Sequence, residues 1–316
     1  MLTPKGRGTL SERVFEGMRS SAPSFAPALR TLADDEDDLQ ITLWGLYELH
    51  YRGFDDVHDD LEWHPELIEL RRSIERDFEQ TLRDRWDEAH PPSGGDFAES
   101  FFGFVGDHDG RSLAAFVQRD ATVDQMRELL RMRSIYHLKE ADPSSWLVPR
   151  LPDRTKAALV ELQFDEYGAG DPNRLHAQMF RVGMDRCGLR TDYGAYIDDV
   201  PLEVLEENNA MSLFGLNRRL RAASLGHLAA FEITSSIPSR RMAQGLTRLG
   251  LPDEIVEYYT EHVEADAVHE QLAVRTILGS LLEEEPALAD DAFFGAFTCL
   301  DLEDRFTHRM LAEWSA

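Results

Sequence analysis

Apolar residues recur at intervals of three and four along most of the chain, as from Ile41 to Glu79 and again from Leu202 to Phe231. That spacing gathers them on one side of an α-helix. Strict alternation bounded by tight Asn-Gly turns, the mark of half-buried strands, is absent, and no segment repeats at a fixed period. The pattern predicts an all-α chain. Pro143, Pro149, Pro152, Pro172, Pro201, Pro238, Pro252 and Pro286 each punctuate a run long enough for a helix, which predicts a bundle of about six or seven helices.

One break in composition divides the chain. HPPSGGD, from His90 to Asp96, has the Pro and Gly density of a connector. Residues 1–95 are read as an N-terminal tail and helical extension, and residues 96–316 as the core. Residues 1–35, rich in Ser, Pro and small side chains, are expected to form a frayed tail leading into the acidic run Ala33–Asp38.

With 316 residues, 42% of them hydrophobic, the chain can bury a large core without staples. Its net charge of −26 disfavours nucleic acid and anionic lipid as partners. No apolar run reaches the roughly 18 residues needed to cross a bilayer, and MLTPKGRGTLSERVFEGMRS lacks the apolar stretch of a secretory signal, so a cytoplasmic protein without a membrane partner is expected. Cys187 and Cys299 make no disulfide framework and no CxxC pair. A metal would therefore have to rely on His and carboxylates.

Such donors are present at ligand spacing. EHVEADAVHEQLA places His262, Asp266 and His269 on one stripe of a helix, a way for a bundle to build a metal site, although a solvated polar stripe would read the same. Imidazole and carboxylate suit iron or manganese. In ELQFDEYGAGDPNRLH, Glu166 and His176 lie ten residues apart, about 15 Å along an unbroken helix. Gly168, Gly170 and Pro172 interrupt that helix and let both side chains face one point. Glu161 falls off that face and reads as structural or exposed. Glu232 sits in the apolar setting SLGHLAAFEITSS, where a buried acid needs a partner. Glu140, just before Pro143, reads by itself as an ordinary helix-end acid. His50, His58, His64, His90, His137, His227 and His308 lack partners at ligand spacing and read as core-edge or surface residues. The four acids Glu140, Glu166, Glu232 and Asp266 would balance two ferrous ions, whereas one divalent ion would leave a buried excess of negative charge.

The segments YHLKEADP, PRLP, DEYGAGDPNRLHAQMF, AAFE and EHVEADAVHEQ, in this order and with their long spacings, resemble the haem-oxygenase-like di-iron oxidases, or iron-containing redox enzymes. The resemblance runs from about Phe97 to the C-terminus. It implies a haem-oxygenase-like seven-helix bundle in which two iron ions, cycling between Fe(II) and Fe(III), take the place of haem and O2 is co-substrate. It implies metal ligation by Glu140, Glu166, His176, Glu232, His262, Asp266 and His269, with Glu166, Glu232 and Asp266 in catalytic roles. Some members carry a further acid where this chain has the neutral Asn173. The segment LYELHYRGFDDVHDDLEWHPELIELRRSIE resembles the helical extension of some members. Glu48, His50, Glu62 and His64 within it diverge at i, i+2, so a packed, solvated extension is expected there.

What the resemblance implies for activity is O2-dependent oxidation of a small amino-acid-like or amine metabolite in specialised biosynthesis, with room for an external electron donor and a homodimer. Arg150 and Lys156 are candidate carboxylate anchors, and Tyr136, Tyr167 and Tyr259 candidate supports for the ligands. The alternatives are a metal-free, thiaminase-type enzyme using a cysteine nucleophile and a non-catalytic iron-binding helical protein.

Overall fold

The computed structural model describes residues 1–21, 23, 25, 31–87 and 95–315, without the side chains of 87 and 264–267. Among the described residues there are helices and no strands. An N-terminal group comprises α1 (Thr9–Met18), α2 (Glu36–Glu48) and α3 (Pro65–Asp87). There follow α4 (Phe97–Gly106), α5 (Leu113–Arg119), α6 (Val123–His137), the short α7 (Asp142–Ser145), α8 (Asp153–Glu166) and α9 (His176–Arg186). The chain closes with α10 (Leu202–Leu216), α11 (Arg221–Arg248), α12 (Asp253–Gln271), a π-helical turn at Leu272–Leu278, α13 (Gly279–Glu284) and α14 (Ala289–Ser315). The connector expected at His90–Asp96 lies outside the described residues up to position 94.

The axis of the fold is α11, which packs along α12, α14 and α5. At 28 residues it is roughly 42 Å long. Its close approach to α14 depends on two glycines: a Cβ on Gly226 would meet the Ala292 carbonyl oxygen at 1.9 Å, and one on Gly295 the Ala223 carbonyl oxygen at 1.9 Å. Pro238 does not punctuate a helix, as its position in the sequence predicts, but lies inside α11. The lost hydrogen bond and ring clash cost about 3 kcal/mol; burial of the helix on several sides outweighs this, since each large apolar side chain contributes roughly 1.5–3 kcal/mol.

Within residues 1–21 the expected frayed tail is instead helical and packed, while positions 22, 24 and 26–30 of it lie outside the described residues. Leu10, Val14, Phe15 and Met18 put a buried stripe on α1. The end of α1 is capped from the acidic run: the Asp38 carboxylate accepts from Leu10 N at 3.0 Å and Ser11 N at 2.8 Å. Asp35 meanwhile caps α2 by accepting from Asp38 N at 3.0 Å. The run that reads as solvated charge thus neutralises helix ends.

The extension is packed but its charges are not all solvated. Glu48 of α2, fully buried, faces the buried Lys139 just beyond α6 at 3.7 Å. Tyr193 donates to Glu48 at 2.8 Å, and the Lys139 ammonium lies 4.5 Å from the centre of the Tyr51 ring. His50 is buried too, against Glu62 at 3.2 Å and the Arg71 guanidinium.

Candidate metal centre

Two breaks in helix geometry bring distant donors together. The first is at the end of α6. Leu138 caps that helix, so Glu140 lies in the turn beyond it rather than inside it, and Ala141 takes the left-handed conformation at φ 69°. The Gln163 side chain donates to the Ala141 carbonyl at 3.0 Å and holds the turn from α8. The second break separates α8 from α9. Gly168 has φ 66°, and a Cβ there would meet the Arg174 backbone at 2.5 Å, so only glycine fits. This fold-back brings Glu166, the last residue of α8, within 3.0 Å of the Nδ1 of His176, the first of α9. A π-helical turn follows α12, beginning three residues after His269.

The donors form two groups. Glu140, His176 and His262 make one, Glu166, Glu232 and His269 the other; within each group the ligand atoms all lie within 4.8 Å of one another and all six residues are buried. Glu166 belongs to both surroundings: its Oε2 faces His176, and its Oε1 lies 3.7 Å from His269 Nδ1. Glu232, from the middle of α11, is 3.6 Å from that same nitrogen. Asp266 lies on α12 between His262 and His269, but its side chain lies outside the described residues.

Hydrogen bonds orient these side chains. His262 Nδ1 is 2.8 Å from the Tyr258 carbonyl, one turn earlier, so it donates there and leaves Nε2 as the acceptor nitrogen, 3.6 Å from Glu140. His269 Nε2 is 3.3 Å from the exposed Asp165, which leaves Nδ1 facing Glu166 and Glu232. Tyr258 OH lies 2.9 Å from one Glu140 oxygen and 2.8 Å from His137 Nδ1, and His137 is itself 3.1 Å from Glu140. Burial works to raise the Glu140 carboxyl, but His137 and His262 overcome it and hold the group well below its ordinary range. Burial works to lower His269, but Glu232, Glu166 and Asp165 lift it to about 9. His176 is raised in the same way, with Glu166 outweighing burial.

Several residues read differently in place. Tyr258, not Tyr259, supports Glu140; one residue along α12 turns Tyr259 away, while Tyr167 donates to Asp142 at 3.0 Å. Tyr136 lines the cavity beside Glu140. His137, read as a core-edge residue, is a partner of Glu140, and its i, i+3 spacing was the available signal. Glu161 is exposed. Asn173 is exposed and bonds to Asp171 at 3.2 Å. The Arg150 guanidinium is taken by the Gly215 carbonyl, and Lys156 pairs with Asp153 at 3.6 Å, so neither lines the cavity as an anchor. His90 lies outside the described residues. Cys187 and Cys299 are buried, burial raises both thiols, and neither lines the cavity, which argues against a cysteine nucleophile.

Clustered carboxylates and imidazoles of this kind fit divalent iron, which accepts both. The profile of the iron-containing redox enzyme family matches residues 127–304, more than half of the chain. The chain belongs to that family, and its fold is haem-oxygenase-like. It is also similar to the nitrosourea synthase of Streptomyces achromogenes subsp. streptozoticus, 28% identical over 147 residues, which are 46% of this chain and 31% of that relative. The chain thus spans about a third of the length of that relative. No helix among the described residues is long and apolar enough to cross a membrane.

Proposed function

We propose that this chain is a non-haem di-iron enzyme that uses O2 to oxidise a small amine metabolite. The observation that carries this reading is Glu166, one oxygen facing His176 and the other facing His269, so that a single carboxylate joins two donor groups. Glu140, His176 and His262 would hold one iron and Glu166, Glu232 and His269 the other, with Asp266 completing the set from α12. Iron bound there would supply the electrons with which O2 is activated.

The chain's own groups have separable tasks. Asp165 and the Tyr258 carbonyl keep His269 and His262 turned with an acceptor nitrogen towards the carboxylates. Tyr258 and His137 fix Glu140. Leu162, Leu228 and Phe231 give the cavity apolar walls. The similarity to a nitrosourea synthase supports a nitrogen-containing substrate in specialised metabolism, and we take residues 96–316 as the unit that carries the chemistry. Anaerobic ferrous titration tests the proposal: two equivalents bound per chain, followed by O2 consumption that exceeds simple iron oxidation when an amine is present. Saturation at one equivalent, or O2 uptake that stops at the oxidation of the metal, would overturn it.

A further inference from the structure

A second space adjoins the cavity beside the donor groups along α11. Tyr136, Ser144, Leu228 and Phe231 line both the space at Glu140, Glu166 and Glu232 and a second space beside it, so the two share one lining. Its α11 wall is Ser224, His227, Leu228, Phe231 and Glu232, the three-and-four spacing of one helix face. His227 therefore stands about 7.5 Å along the axis from Glu232. Where the two spaces meet, Leu228, Phe231 and the Tyr136 ring make the wall mainly apolar, and Pro143, Met211 and Phe214 line the second space.

The far end is polar without being charged. Burial pushes the His227 imidazole down to about 4, so the ring is neutral near pH 7. Its nearest ring contact is Phe214, at 6.2 Å, and among the described residues nothing hydrogen-bonds to it. Ser144 and Ser224 supply hydroxyls, and no Lys, Arg, Asp or Glu among the described residues lines this end. A carboxylate or ammonium placed here would lose its water and meet no counter-charge. A neutral imidazole can donate at one nitrogen and accept at the other, which matches a hydroxyl or an amide.

We infer that His227 is a specificity-determining residue that reads the end of the substrate remote from the donor groups, and that this end is an uncharged hydrogen-bonding group. Resting on the proposed reading that an amine nitrogen lies at the Glu140–Glu166–Glu232 end, the substrate class becomes a small amine with an apolar middle and a neutral polar terminus. An amino acid with a free carboxylate at that terminus is excluded.

Calorimetry on the iron-loaded, anaerobic protein with aminohexanol, hexylamine and aminohexanoate tests this. Aminohexanol should bind at least about tenfold more tightly than either of the others, the scale set by one satisfied polar group. In His227→Leu the advantage over hexylamine should vanish with the iron content unchanged, and His227→Arg should turn the preference towards aminohexanoate. Should the Leu variant not fold, the inversion by Arg decides. Equal binding of aminohexanoate to the unmodified protein, a preference that survives in the folded Leu variant, or no binding of any probe at millimolar concentration would overturn the inference. Repeating the titrations without metal separates the two proposals: a protein that keeps the preference but takes up no iron refutes the di-iron reading and leaves the role of His227 standing.

Discussion

The molecule buries charge in two neighbouring places and resolves it in opposite ways. Behind the turn at Leu138–Ala141, Glu48 meets an ammonium, and the hydroxyl of Tyr193 completes its coordination. Burial pushes Glu48 up and Lys139 down, and each partly offsets the shift of the other. One residue further on, Glu140 turns the other way and meets imidazoles and a phenol. Neither Glu140 nor Glu166 faces a Lys or Arg among the described residues. The neighbouring carboxylates instead act on His176 and His269, raising both imidazoles against the effect of burial. The Glu48 pair brings its own cation, whereas under the proposed reading the Glu140 and Glu166 groups would take theirs from bound iron.

The contrast can be broken most forcefully at Glu166. Glu166→Gln should drop iron binding to at most one equivalent and O2-coupled turnover by at least about 100-fold, read by metal analysis and an oxygen electrode. His262→Ala or Asp266→Ala should each remove at least one iron by the same assay, and full loading of either would refute the ligand assignment. Lys139→Met strands Glu48 and should cost about 3–5 kcal/mol in denaturant unfolding, whereas the double replacement Glu48→Met with Lys139→Met should recover most of it. Ferrous ion at a hundred times its Kd should stabilise the protein by about 2.7 kcal/mol, seen as a higher Tm that Glu166→Gln abolishes. The smallest effect is that of Tyr258→Phe, which removes one hydroxyl from Glu140 and should weaken iron affinity about tenfold while the stoichiometry holds.

How much of this is legible in the sequence depends on distance along the chain. The helical period is local, and it announces the all-α fold. The glycines after Glu166 are also local, and they announce the fold-back that brings His176 near. Pro238 misleads because its cost is set against packing on helices far away in sequence. The acidic run misleads because its task is to cap α1, 27 and 28 residues upstream of Asp38, and nothing in the run itself names that partner. Tyr258 and Asp165 go unrecognised for a related reason. They act on donors already found, through contacts fixed only by how α8, α12 and the turn after α6 are set against one another. The seven candidate donors stand out in the sequence because metal chemistry admits few residue types, whereas almost any polar side chain can support them. Asp266 keeps its place in the pattern on α12, but its side chain lies outside the described residues.

Sharing Glu166 between the two donor groups has a thermodynamic corollary. Under the proposed reading, a cation captured on one side would draw on the same carboxylate that the other side needs, so occupancy of the two positions would be a linked equilibrium rather than a pair of independent ones. Whatever factor the first ion imposed on the affinity for the second, the second would impose on the first, and the saturation curve as a whole would carry that single coupling constant.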